Sequence, residues 1–186
     1  MTRLILASSS PRRSRLLSEA GFDFDVAVPD VDESIHDSEE AHAYALRLAR
    51  EKAAACVAPR QLTLGADTVV VLSGQTLGKP ADAAHAIDML TKLSGSTHDV
   101  MTGWALANPD GFVGSDVATT RVVFRELSAA EVRTYVETGE PLDRAGAYAI
   151  QGGAGGFVSD IEGSFANVMG LPIETIVVAL AQAGIN

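Results

Sequence analysis

The stretch Leu4–Leu17, "LILASSSPRRSRLL", decides how the chain begins to fold. Residues 3–8 form a short apolar run of strand type. Ser10 then offers an N-cap oxygen and Pro11 suits the first helical position, which predicts a helix over 11–20 closed by Gly21. That helix start carries Arg12 and Arg13, where the backbone already presents positive partial charge. Exposed cations there cost about 0.3–1 kcal/mol each. A helix start following a strand also directs several unpaired N–H groups at one point, and Ser8, Ser9 and Ser10 add hydroxyls. Two readings stand. Either an anion fills that focus and offsets both penalties, or the arginines bend away to surface carboxylates. No G-x-x-x-x-G-K-[ST] loop occurs anywhere.

Working outward, "FDFDVAV" (22–28) alternates with period two, as a strand does. Asp37 and Glu40 have the spacing of a capping box, opening a long helix through about Val57. "LTLGADTVVVL" (62–72) is β-branched and apolar, hence a buried strand, and "SGQ" turns the chain after it. Asp82 to Leu93 reads as a helix with Ile87, Leu90 and Leu93 on one face and Gly95 beyond. "HDVMTGWALAN" and "FVGSDVATTRVVF" read as strands joined by a turn at Pro109–Asp110–Gly111. Ser128 and Glu131 form a second capping box ahead of a helix over 129–138, ended by Gly139. Pro172 starts a last helix with Ile173, Ile176, Val177 and Leu180 inward. The sum is an α/β domain around a mixed sheet.

At 186 residues the chain is most economically one domain with a substantial core. Hydrophobic content of 47% and charged content of 20% are ordinary for a globular protein. A net charge of −10 and a pI near 4.7 exclude broad nucleic-acid binding, since no basic excess faces a polyphosphate backbone. A small anion remains open to a local cluster of cations. Cys56, in "EKAAACVA", is the single cysteine, so no intrachain disulfide forms and a reducing, cytoplasmic setting is expected. It reads as a small apolar residue on a helix. "MTRLILASSS" is too short an apolar run for a signal peptide, and no segment reaches membrane-spanning length, so no membrane partner is expected.

Asp67 is the sharpest anomaly, because it interrupts an apolar strand. A carboxylate buried in a sheet costs several kcal/mol unless it is paired, bonded or metal-bound. It is either a strand-end Asp bonded to a nearby turn, or a metal ligand, a general base, or both. Lys52 lies in "LAREKAAACV" on an Ala/Leu-rich helix, and Lys79 in "TLGKPAD" just after the Asp67 strand. With Arg12 and Arg13 they could supply four cations. Glu33 sits among the acids of "PDVDESI". "DRAGAYAIQGGAGGF" (143–157) is glycine-rich and poor in charge, able to approach a ligand closely or to act as a plain loop. Within it Gln151 carries an amide that donates and accepts. His36, His42, His85 and His98 lack zinc-ligand spacing, and no G-x-S-x-G is present.

The strings "SSSPRR", "AREKA", "GADTVV", "LGKP", "AGAYAIQG" and "GSFANVMGLP" together resemble the Maf family of nucleoside triphosphate pyrophosphatases, in order and over nearly the whole chain. The resemblance implies hydrolysis of a nucleoside triphosphate to monophosphate and pyrophosphate. It implies a divalent metal (Mg, Mn or Co) as cofactor, and an elongated, mixed central sheet flanked by helices in two lobes with a cleft, as in the inosine triphosphate pyrophosphatase group. By the same resemblance Asp67 matches the catalytic base. Ser8, Arg12, Arg13, Lys52 and Lys79 match the phosphate-binding set. Glu33 matches an acid associated with the metal, a role Asp67 shares. Thr68 and Gln151 match the subgroup resembling dTTP/UTP pyrophosphatases. Arg144 stands where Lys is common and Phe165 where Tyr is common.

A triphosphate carries about four negative charges, so four cationic side chains and a metal suit it in size. Two rival readings differ in class: the same reaction on purine or methylated-guanine triphosphates, or a nucleotide-sensing regulator of septum formation without catalysis. Thr68 and Gln151 speak against the first, and the intact cation set with Asp67 and Glu33 against the second. A homodimer is compatible with the resemblance, though the residue pattern does not show one.

Overall fold

The computed structural model describes residues 2–185. Its strands are β1 (Arg3–Ala7), β2 (Phe24–Ala27), β3 (Gln61–Leu72), β4 (Gln75–Leu77), β5 (Thr97–Asn108), β6 (Gly111–Phe124) and β7 (Val158–Glu162). The α-helices are α1 (Pro11–Glu19), α2 (Ala41–Ala55), α3 (Ala83–Leu93), α4 (Ala129–Glu137), α5 (Phe165–Met169) and α6 (Ile173–Gln182). The strands build one mixed sheet in the order β2-β1-β3-β5-β6-β7, with β4 paired to β3. β1 runs parallel to both neighbours, Leu6 standing opposite Val26 and Leu64. β3–β4 and β6–β7 are antiparallel. This is the mixed α/β architecture that the alternation of patterns implies.

The chain divides into two compact units. The first holds the residues up to Thr68, Thr102–Ala118 and those from Gly170 on. Its core is aliphatic: Leu6, Leu17, Leu48, Leu64, Leu106, Ile176 and Leu180 are fully buried or nearly so. Here α2 lies directly on β3 and β5 because glycines face alanines. A Cβ on Gly65 would stand 2.3 Å from the Ala49 carbonyl oxygen, and one on Gly103 2.2 Å from that of Ala45. The second unit, Val69–Met101 and Thr119–Met169, has a more aromatic core. His98, Phe124 and Tyr148 meet edge to face with centroids 4.9–5.4 Å apart, beside Tyr135 and Phe157.

Several local expectations hold. Ser128 and Glu131 form the capping box of α4, and the turn after β3 uses Ser73 and Gly74 at φ 50° and 80°. Others need correction. Ser10 precedes α1, but its hydroxyl makes no cap bond; its backbone N–H donates to Ser8 Oγ instead. The Asp37–Glu40 capping box does not form, for α2 begins only at Ala41 and Glu40 caps nothing with its side chain. Cys56 is the residue that ends α2 rather than part of it. Val177 is 38% exposed, so the inward face of α6 is carried by Ile176 and Leu180. Strands β4 and β7, helix α5 and the 3₁₀ turn at Gly153–Phe157 are additional to the elements that the sequence pattern marks. Among the described residues no helix is long and apolar enough to cross a membrane.

Candidate active site

The close approach of Gly65 to α2 creates the central cluster. Asp67 lies two residues beyond Gly65, on the same face of β3, and Lys52 lies between Ala49 and Ala53 in sequence. Lys52 Nζ stands 2.6 Å from Asp67 Oδ1 and 2.6 Å from Glu33 Oε1. Lys52 is 6% exposed and Asp67 9%, so this is a buried charge pair with a more open third member, Glu33. Asp67 is thus paired with a side chain and is not a strand-end residue bonded to a turn.

Arg13 answers the question raised by the first turn of α1. Its Nε donates to the Gly170 carbonyl at 2.8 Å, Nη1 to Ser8 Oγ at 3.2 Å and Nη2 to Thr68 Oγ1 at 3.1 Å. Every one of these acceptors is a neutral oxygen. Among the described residues Arg13 forms no ion pair, so it has not bent away to a surface carboxylate. Burial lowers its pKa, with the charges of Asp67 and Glu33 acting against that shift. Two of its five N–H groups are left over. The Thr68 hydroxyl is occupied on this guanidinium and on Thr102 Oγ1, 2.9 Å away. Arg12 is half-buried in the same turn.

Glu33 lies on an irregular segment that α2 fastens in place. Tyr44 Oη–H donates to the Glu33 carbonyl at 2.7 Å. Arg47 donates to the Ser34 carbonyl at 3.0 Å and grips both Glu39 carboxylate oxygens at 2.7 Å each. Burial, then the nearby Asp67 and Glu33 charges, pushes the Tyr44 phenol up to about 12. Arg47 holds Glu39 down to about 2. Neither Tyr44 nor Arg47 stands out in the sequence, although their i, i+3 spacing places them on one face of α2.

The other two candidates belong to the second unit. Lys79, in the turn after β4, pairs with Asp143 Oδ1 at 2.6 Å, and both side chains are largely exposed. That turn is tied to the glycine-rich segment by Gly146 N–H donating to the Gly78 carbonyl at 3.1 Å. Gln151 is exposed on the segment's tight bend. Arg144 points back at the Asp143 carbonyl, and Phe165 is 46% exposed.

The donor set can be tested against a divalent cation. Among the described residues no group of three or more His, Cys, Asp or Glu side chains converges. Two carboxylates do, since Asp67 and Glu33 both touch one ammonium. Hard oxygen donors in that number fit Mg²⁺ or Mn²⁺, which commonly bind through one or two carboxylates and complete their shell with water and substrate phosphates.

The fold is shared with a solved HAM1 protein from Coxiella burnetii, at 16% identity and a TM-score of 0.51, over 98% of this chain and 100% of that one. Two curated relatives are much nearer in sequence. A dTTP/UTP pyrophosphatase of Salmonella typhimurium is 54% identical over 93% of this chain and 89% of its own length. A dTTP/UTP pyrophosphatase of Myxococcus xanthus is 50% identical over 99% of this chain and 94% of its own. The Maf-like protein family model matches residues 3–183, and the chain belongs to the Maf family.

Proposed function

We propose that this chain hydrolyses dTTP and UTP, with modified pyrimidine nucleoside triphosphates, to the monophosphate and pyrophosphate. The observation that carries the reading is the buried Asp67–Lys52 pair with Glu33, next in sequence to the Thr68 hydroxyl that helps cradle Arg13. Relatives about half identical to this chain bear the corresponding name.

Water attacks the α-phosphorus. A new P–O bond forms, the bond to the bridging oxygen breaks, and its electron pair departs with pyrophosphate. Asp67, held by Lys52, orients the water and takes its proton. Ser8, Arg12 and Arg13 hold phosphate oxygens at the start of α1, where the helix N–H groups add to the field. Lys79 and the third N–H of Lys52 are further phosphate donors. Positive groups so placed stabilise the charge that develops on the leaving pyrophosphate. Glu33 and Asp67 are the residues that would hold a divalent cation (Mg, Mn or Co), which would supply additional charge neutralisation on the phosphates. Gln151 offers one acceptor and one donor for the O4 and N3–H edge of uracil or thymine. Thr68 acts on the pocket through the guanidinium it holds.

The test is pyrophosphate release across dTTP, UTP, CTP, GTP and dITP, by wild type and Asp67→Asn, with Mg²⁺ or Mn²⁺ and with chelator. Expected are the highest kcat/KM on dTTP and UTP, loss with chelator, and a fall of about 10²–10⁴ in Asp67→Asn with an unchanged circular dichroism spectrum. Equal rates on purines remove the pyrimidine assignment, and an active Asp67→Asn removes the mechanism.

A further inference from the structure

Gln151 sits on a bend whose shape comes from two side chains outside it. Gly152 N–H donates to the Ala149 carbonyl at 3.0 Å and closes the bend around Ile150 and Gln151. On the near side, Tyr135 Oη accepts the Ala149 N–H at 3.0 Å. On the far side, Glu140 Oε2 accepts the Gly153 N–H at 2.9 Å. The two supports also act on each other through charge: burial raises the Tyr135 phenol pKa most, the bond from the Ala149 N–H acts against that rise, and the nearby Glu140 carboxylate adds to it.

The fit is close on both sides. A Cβ on Gly152 would lie 2.0 Å from Glu140 Oε1, and one on Gly153 would lie 3.0 Å from the Tyr135 ring. Tyr135 is buried and Glu140 half-buried. Among the described residues no Lys, Arg or His lies within ion-pair distance of Glu140. Glu140 directs its carboxylate at a backbone N–H rather than at a cation, so what it governs is backbone shape. The shape it imposes is that of the backbone carrying Gln151.

We infer that Tyr135 and Glu140 are positioning residues for Gln151 and that preference for a pyrimidine base depends on them. The inference rests on Gln151 reading the base. An amide that reads one acceptor and one donor discriminates only while its backbone is held to a fraction of an ångström. A loosened bend keeps the phosphate chemistry and loses the choice of base. Selectivity therefore falls while turnover of a poorly matched base does not.

The experiment measures kcat/KM on dTTP and GTP for the wild type, Glu140→Ala, Glu140→Gln, Tyr135→Phe, Gln151→Ala and the Glu140→Ala/Gln151→Ala double variant. Glu140→Ala is expected to lower kcat/KM on dTTP by about tenfold and to leave GTP unchanged. Glu140→Gln, which retains an acceptor oxygen for Gly153, recovers most of the loss. Tyr135→Phe, which removes only the acceptor for Ala149, shifts the ratio in the same direction and covers the case of an unfolded Glu140→Ala. The double variant is no worse than Gln151→Ala alone. Equal losses on both substrates, or additive losses in the double variant, overturn the positioning role while Gln151→Ala still shows base reading. An unchanged dTTP/GTP ratio in Gln151→Ala overturns the base reading itself, and the inference with it.

Discussion

Replacing Lys52 by Met separates the charge of this residue from its packing. Met keeps an unbranched stem of similar length in the 6%-exposed site but removes the ammonium 2.6 Å from Asp67 Oδ1. Asp67, 9% exposed, is then a buried carboxylate with its cation gone. Breaking such a pair costs about 3–5 kcal/mol, against about 0–1 kcal/mol for an exposed pair. Glu33 adds little to the loss, because its side chain is 57% exposed and water can solvate it. Urea unfolding followed by circular dichroism at pH 7 should show the loss as a lower midpoint at unchanged m-value. In a chain of this length it corresponds to a fall of roughly 10 °C in Tm. The double variant Lys52→Met/Asp67→Asn, which no longer buries an uncompensated charge, should regain at least half of the lost stability while releasing no pyrophosphate. A Lys52→Met loss below about 1 kcal/mol, or a double variant no more stable than the single, would refute the claim that Lys52 is the buried counter-ion of Asp67.

The contact between β3 and α2 gives a second test. Gly65→Ala places a methyl 2.3 Å from the Ala49 carbonyl oxygen, which should destabilise by about 1–3 kcal/mol and lower kcat by parting Asp67 from Lys52; unchanged kcat counts against this route to the site. Arg13→Lys keeps the charge but cannot reach Gly170, Ser8 and Thr68 together, so KM for dTTP should rise by about tenfold or more in steady-state assays. Burial lowers His98 to about 4, from 6.5, so the folded chain stays unprotonated there while the unfolded chain binds a proton below 6.5. Stability is therefore present in full above about pH 6.5 and falls by about 3 kcal/mol as pH drops towards 4, a slope that His98→Gln should flatten in urea titrations at stepped pH.

How much of this was legible in the sequence depends on whether a residue departs from its local pattern. Asp67 was visible because a carboxylate inside "LTLGADTVVVL" contradicts the run around it. Lys52 was not visible as its partner, since a lysine on an alanine-rich helix looks the same solvated or buried. Only the face-to-face meeting of Gly65 with Ala49 and Ala53 distinguishes the two. The capping box at Asp37 and Glu40 does not form because residues 36–39 are a turn of their own, closed by Glu39 N–H on the His36 carbonyl and by Glu39 accepting from both His36 N–H and Arg47, and the helix starts only at Ala41. Strand β7 escaped notice because "VSDIE" is short and half exposed, and its place on the sheet comes from pairing with β6. Glu140 was invisible for the same reason as Lys52: its importance lies in the two glycines that close on it.

Lys52 and Arg13 obey opposite electrostatic logic, and that difference bears on how each of them serves the substrate. Lys52 is charge-balanced in the fold itself, with a carboxylate at 2.6 Å on either hand. Arg13 is oriented by three neutral oxygens, which fix its fork without cancelling its charge. In a chain of net charge −10 there is no shortage of carboxylates to neutralise an arginine. A guanidinium held among hydroxyls and a carbonyl, with burial already lowering its pKa, is therefore an electrostatic deficit at one defined point. A phosphate group would fill that deficit, whereas Lys52, with two of its three N–H groups already on carboxylates, has only one to offer it. Loss of Lys52 should accordingly register first in folding, and loss of Arg13 first in KM.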